Sequence, residues 1–126
     1  MIIDDEPIVG KRLKRVLEKD NFEVEVFTDG MRAVIEIENR PFDIIVTDLK
    51  MQFIDGIKIL EFAKSKRPSS KVIIITGFSK KETAQEALDK GAFDFIIKPF
   101  KIAELKQVIY RAVDELKKET DESGLL

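Results

Sequence analysis

Ile44-Ile45-Val46-Thr47-Asp48 decides the fold. A short β-branched run without polar alternation reads as a strand buried on both faces, and such strands belong to parallel sheets. This one closes on a carboxylate. Met1-Ile2-Ile3 leads in the same way into Asp4-Asp5, and the run from Phe93 to Ile97 leads into Lys98. If these are neighbouring parallel strands, their carboxyl ends share one edge of the sheet and the charges converge there.

Working outward, strand-like runs fall at Met1-Ile2-Ile3, Glu23 to Phe27, Asp43 to Thr47, Lys71 to Thr76 and Phe93 to Ile97. Val24 and Val26 alternate with Glu23 and Glu25, the pattern of an edge strand with one wet face. Phe93-Asp94-Phe95 alternates too and suits the opposite edge. Helical periodicity fills the gaps. Pro7 fits the first turn of a helix with Val9, Leu13, Val16 and Leu17 on its apolar face. Asp29 caps a second helix carrying Ala33, Val34 and Ile37, and Asp55 caps a third with Ile59, Leu60, Phe62 and Ala63. Ser79 and Glu82 have capping-box spacing for a fourth, which Gly91 ends. The fifth carries Ile102, Leu105, Val108, Ile109, Ala112, Val113 and Leu116. Its apolar period lapses from Lys117 onward, which predicts a frayed end.

Alternating strands and helices with right-handed crossovers predict an α/β fold. The expected form is a flavodoxin-like, doubly wound, five-stranded parallel sheet in the order 2-1-3-4-5 with helices on both faces. Its topological switch point lies between strands one and three, bordered by Asp5 and Asp48. Residues 1–119 make the expected domain. Residues 120–126 read as a C-terminal tail, the start of a linker toward an output domain.

Composition narrows the chemistry. The 126 residues suit one core, and 44% hydrophobic content is too high for disorder. Charged residues reach 37%, yet the net charge is only −2, so no global basic field exists to hold nucleic acid. Cysteine and histidine are absent, which excludes disulfides, thiolate or imidazole zinc sites, Ser-His-Asp catalysis and a phosphohistidine on this chain. A metal would need oxygen ligands, pointing to Mg²⁺ or Ca²⁺. No apolar run approaches membrane-spanning length and no signal-peptide pattern opens the chain, so the expected location is cytoplasmic.

Asp4, Asp5 and Asp48, brought together, repel one another. A hard divalent cation relieves that repulsion, and Mg²⁺ typically takes one or two carboxylates together with waters and phosphate oxygens. One acid is then left to act as a nucleophile, and a carboxylate attacking phosphorus forms an acyl phosphate. Asp48, at the centre of the crevice, takes that role, while Asp5 with Asp4 or Glu6 holds the metal. Lys98 offers a positive charge and Thr76 a hydroxyl to phosphoryl oxygens, with Gly77 leaving room for approach. Each residue also has an ordinary reading. The acidic run suits a helix N-terminus, Asp48 a loop, Lys98 a solvated surface and Thr76 a β-strand. Their joint placement at strand ends favours a site. Met51 and Phe53 read as loop residues packed on the third helix, without chemistry.

These residues resemble the receiver domain of two-component response regulators over essentially the whole chain. The ordered markers are Asp4-Asp5-Glu6-Pro7, Asp48-Leu49-Lys50-Met51 leading to Asp55-Gly56, Thr76-Gly77, and Gly91-Ala92 before Lys98-Pro99-Phe100. The resemblance implies that Asp48 accepts a phosphoryl group from the phosphohistidine of a sensor kinase or phosphotransfer protein. It implies Mg²⁺ held by Asp4 or Asp5, Asp48 and the Lys50 main-chain carbonyl. It makes Lys98 and Thr76 the phosphoryl-sensing pair, Phe95 the aromatic whose rotamer follows Thr76, and the Lys98-Pro99 bond cis. Such a domain is not a stand-alone enzyme; it catalyses only its own phosphorylation and dephosphorylation. The surface of the fourth helix, fifth strand and fifth helix then changes and meets a homodimer mate or an output domain, attached or separate.

The chain departs from the family pattern at Gln52, where proline is usual, at Lys50, which sets a cation beside the site, and at Lys101, a frequent aspartate cap. Its first strand is short for an interior strand. Rival readings are a phosphate-independent pseudo-receiver interaction module, a phosphohydrolase and a flavin-binding fold. Retained Lys98 and Thr76 weigh against the first. Lys50 stands where the second needs an acid, and the acidic loop repels a flavin phosphate.

Overall fold

The β-branched runs pair side by side, and charge gathers where they end. The computed structural model describes residues 1–77 and 81–124, without the side chains of 121–124. In chain order the elements are β1 (Ile2–Ile3), α1 (Pro7–Glu18), β2 (Val26–Phe27), α2 (Gly30–Asn39), β3 (Ile44–Asp48), α3 (Gly56–Lys66), β4 (Lys71–Thr76), α4 (Lys81–Asp89), β5 (Asp94–Ile97) and α5 (Ile102–Gly124). The strands are parallel in the order β2-β1-β3-β4-β5, as the alternation predicts. In register, Ile3 lies beside Thr47 and Asp48 beside Ile75.

Period-two alternation divides the buried side chains between two faces. Val72 and Ile74 pack with Ala33, Ile37, Ile59, Leu60 and Ala87 beneath α2, α3 and α4. Ile73 and Ile75 face the other way, toward Leu13, Leu17, Leu105 and Ile109 of α1 and α5. Because both faces are covered, β3 and β4 carry no polar alternation.

The helix starts follow the expected chemistry. Pro7 occupies the first turn of α1. Asp29 Oδ1 accepts from the Met31 amide and Asp55 Oδ1 from the Lys58 amide, each at 2.9 Å. Gly91, with φ at 103°, supplies the left-handed turn after α4. Ser79, named above as part of a capping box, and Lys80 lie outside the described residues.

Two expectations need adjustment. The strand expected from Glu23 to Phe27 is paired only at Val26–Phe27, because β1 beside it offers only Ile2–Ile3. The frayed end expected from Lys117 is helical as far as Gly124. Glu119 accepts from Lys71 Nζ at 2.6 Å, which anchors this last stretch of α5 to the start of β4.

Candidate functional site

Asp48 is the last residue of β3 and is only 8% exposed. Its main chain is held from two sides. The Leu49 amide donates to the Ile75 carbonyl at 3.0 Å, and the Gly56 amide to the Leu49 carbonyl at 2.7 Å. A Cβ on Gly56 would stand 2.5 Å from the Asp48 carbonyl oxygen, so only glycine lets α3 begin this close to the strand end.

Asp4 follows β1 directly and is 4% exposed. Its Oδ1 accepts from the Glu6 amide at 2.9 Å, which fixes the carboxylate at the sheet edge. Lys98 reaches the same place from β5. Its amide donates to the Thr76 carbonyl at 2.8 Å, and the Lys98-Pro99 bond is cis. Its Nζ donates to Asp4 Oδ2 at 3.1 Å and to Asp48 Oδ2 at 3.3 Å. One carboxylate oxygen from each of Asp4, Asp5 and Asp48 lies within 4.8 Å of the others. Asp5 is exposed, so the cluster opens to solvent on its side.

Two of these three carboxylates, Asp4 and Asp48, thus share one ammonium. Burial, with the Asp4 charge adding to it, pushes the Asp48 carboxyl above its ordinary value despite the opposing pull of Lys98. Burial alone would lower Lys98. The hydrogen bond to Asp4 and the charges of Asp48 and Asp4 outweigh it, and the ammonium is held above its ordinary value. The donor set is oxygen only, anionic in excess and open on one side. That is the chemistry Mg²⁺ requires, with carboxylates on one side and room for water or phosphate oxygens on the other.

Thr76 ends β4, 2% exposed, on the strand beside Asp48. Ile74 pairs with Phe95, so Thr76, two residues further along, shares Phe95's face of the sheet. Phe95 is partly buried against the core beneath α2, α3 and α4. Lys50 is exposed in the loop after Asp48.

The fold therefore brings Asp4, Asp5, Asp48 and Lys98 together and sets Thr76 beside them. Glu6, an alternative metal holder by sequence, is instead the cap residue before α1. Phe53 also departs from expectation. It does not pack on α3 but is 85% exposed, with φ at 71°. Its neighbours Met51 and Ile54 take the inward positions, against the start of α2 at Gly30. The only hint in the sequence was a bulky aromatic in a turn before Asp55-Gly56.

A family model described as "Response regulator receiver domain" matches residues 1–110. The chain is a receiver domain of the response-regulator family. Regulatory protein AtoC of Escherichia coli is 36% identical over 94% of this receiver. Nitrogen assimilation regulatory protein NtrX of Azorhizobium caulinodans is 33% identical over 93% of it. The chain spans only 26% of either protein, about a quarter of the length of these curated relatives. Among solved structures, a CheY-like receiver domain protein from Methanospirillum hungatei superposes with a TM-score of 0.90 at 32% identity, covering 94% of both chains. Switching by phosphorylation is the function of this family.

Proposed function

We propose that Asp48 takes a phosphoryl group from the phosphohistidine of a sensor histidine kinase or phosphotransfer protein in the cytoplasm. The observation that carries this reading is Lys98 bridging two buried carboxylates, Asp4 and Asp48, inside an acidic cluster. An Asp48 carboxylate oxygen attacks phosphorus while the bond from phosphorus to the donor imidazole nitrogen breaks. The electron pair stays on that nitrogen, which takes a proton from water, and an acyl phosphate remains on Asp48. Asp4, Asp5, Asp48 and the Lys50 main-chain carbonyl would hold Mg²⁺, which when bound neutralises charge on the phosphoryl oxygens. Lys98 orients the Asp48 carboxylate before transfer and then pairs with a phosphoryl oxygen.

Switching follows from the same residues. The Thr76 hydroxyl turns toward the phosphoryl group, and Phe95, on the same face of the sheet, fills the space released. The surface of α4, β5 and α5 changes with it. That surface carries exposed Leu88, Ile97 and Tyr110, one from each element, and this supports a homodimer or output contact there. A receiver dimer is known for the beryllofluoride-activated NtrC4 protein, with which this chain superposes at a TM-score of 0.86 and 32% identity, covering 91% of this chain and 95% of that one. In this reading residues 1–119 are the receiver unit, and 120–126 lead toward an output, attached or separate. No described helix is long and apolar enough to cross a membrane.

Intact mass measurement after incubation with acetyl phosphate tests the reading. We expect one Mg²⁺-dependent, base-labile phosphoryl group that is absent from Asp48→Asn. No adduct on the wild type, with no Mg²⁺ binding, would leave a phosphate-independent interaction module in its place.

A further inference from the structure

Among the described residues α4 buries only one, Ala87, where α3 buries Gly56, Ile57, Ile59, Leu60 and Ala63. Ala87 lies in the last turn. Thr83 and Ala84 are half-buried, and Lys81, Glu82, Gln85, Glu86 and Leu88 are exposed. So little apolar burial leaves a helix loosely fixed along its length.

The contacts that fix α4 gather instead at its C-terminal end. The Ala92 amide donates to the Ala87 carbonyl at 2.9 Å, which folds the following turn back under the helix. Lys90 Nζ donates to Glu61 Oε1 of α3 at 2.6 Å. This hydrogen bond holds the Glu61 carboxyl below its ordinary value and the Lys90 ammonium above. Gly91 lies along the stem of Lys64, one turn beyond Glu61 on α3, where an added Cβ would stand 3.5 Å from Lys64 Cε. Lys64 Nζ is itself held by the Pro68 and Ser70 carbonyls.

α3 therefore touches both the site and the moving element. It begins against the Asp48 main chain, through Gly56, and it grips the end of α4 through Glu61 and Lys64. A helix is a stiff connector between two such points. A tilt of α4 about the gripped end displaces its first turn most, since Lys81 stands roughly 9 Å from Ala87 along the axis.

We propose that the Glu61–Lys90 pair is a restraint on switching: it holds α4 on α3 in the resting domain, and the phosphorylated arrangement forms at its expense. This rests on the phosphoryl-acceptor reading of Asp48 and adds a second connection, through α3, to the one through Thr76 and Phe95. Both residues are positioning residues and touch no reacting atom. The pair is seen in the domain without a phosphoryl group, so its loss weakens that form and tightens whatever stabilises the other.

The test is a titration with beryllofluoride and Mg²⁺ as phosphoryl mimic, read by backbone amide NMR. The pair is more than a third exposed on each side, so Glu61→Gln and Lys90→Gln should each tighten apparent beryllofluoride affinity only about two- to fivefold. The double variant should gain no more than either single one, because both remove the same bond. Without beryllofluoride, the Thr83 to Leu88 amides of the single variants should lie on the line from free to bound wild type, displaced toward the bound end. Lys66→Gln, which removes a pair between α3 and α2, should change neither reading. Unchanged affinity with unmoved α4 amides would overturn the proposal. Weaker binding would overturn it too, as would gains that add in the double variant. A wild type that takes up no beryllofluoride would overturn the Asp48 reading itself.

Discussion

The two edges of the sheet handle buried polar groups in opposite ways. At the amino edge each has a local partner. Buried Ser70 donates to the Phe42 carbonyl at 2.7 Å, Lys64 Nζ donates to the Ser70 carbonyl at 3.0 Å, and Lys71 pairs with Glu119 at 2.6 Å. Arg67 pairs with Asp43 at 3.2 Å, so each cation of these pairs meets one anion. At the carboxyl edge the clustered Asp4, Asp5 and Asp48 include two buried carboxylates, Asp4 and Asp48, that share the Lys98 ammonium. Matched charge is what stability selects, because an unpaired buried charge is costly. An excess of one sign at a strand end, kept next to a buried threonine, marks a place where a ligand completes the balance.

The contrast breaks first, and most visibly, at Lys98. Lys98→Met should lower the rate of phosphorylation by acetyl phosphate roughly 100-fold, the usual loss for one aimed charge at a reacting oxyanion. Stopped-flow or quench kinetics at saturating Mg²⁺ would report it, and a rate within threefold of wild type would make Lys98 a structural counter-ion only.

Ser70→Ala examines the other edge. It strands the Phe42 carbonyl and should cost about 1–2 kcal/mol in urea unfolding, with phosphorylation rate and Mg²⁺ affinity unchanged. If the chemistry changed as well, the two edges would not be independent.

The smallest effect lies in pH. The folded Asp48 carboxyl binds its proton more tightly than the unfolded one, so its contribution to stability falls as pH rises from 3.8 through the raised folded value. Lys98, also raised, contributes stability that is fully present below 10.5 and is lost as pH rises through its folded value. Asp48→Asn should therefore melt a few degrees above wild type at neutral pH without Mg²⁺. The gap should close toward acid pH and shrink when Mg²⁺ binds the wild type. A mutant that melts lower throughout would mean that the Lys98 contact outweighs the burial of Asp48.

Much of this was legible because its signals are local. Short β-branched runs such as Val72 to Ile75 read as doubly covered strands, and Asp29 and Asp55 announce their helices by cap chemistry that needs no distant partner. The order of motifs from Asp4-Asp5 to Lys98-Pro99 was enough to name the family. Less legible was anything set by direction. Asp4 and Asp5 are adjacent and chemically alike, yet one is buried on Lys98 and the other is open to solvent. Glu6 could have joined them but stands at the N-cap position before α1, exposed and outside the cluster. Phe53 was expected to pack inward by composition, and its left-handed backbone turned it out.

By itself, then, the sequence determined the sheet, its strand order, the family and the set of groups at the carboxyl edge, because periodicity and residue type act over a few neighbours. The tertiary structure alone decided that Lys98 spans Asp4 and Asp48 from opposite ends of the chain, at 3.1 and 3.3 Å. It alone left Phe53 exposed, in the loop that follows Asp48. Pairing across 94 and 50 positions depends on how whole elements pack, and no local pattern encodes it.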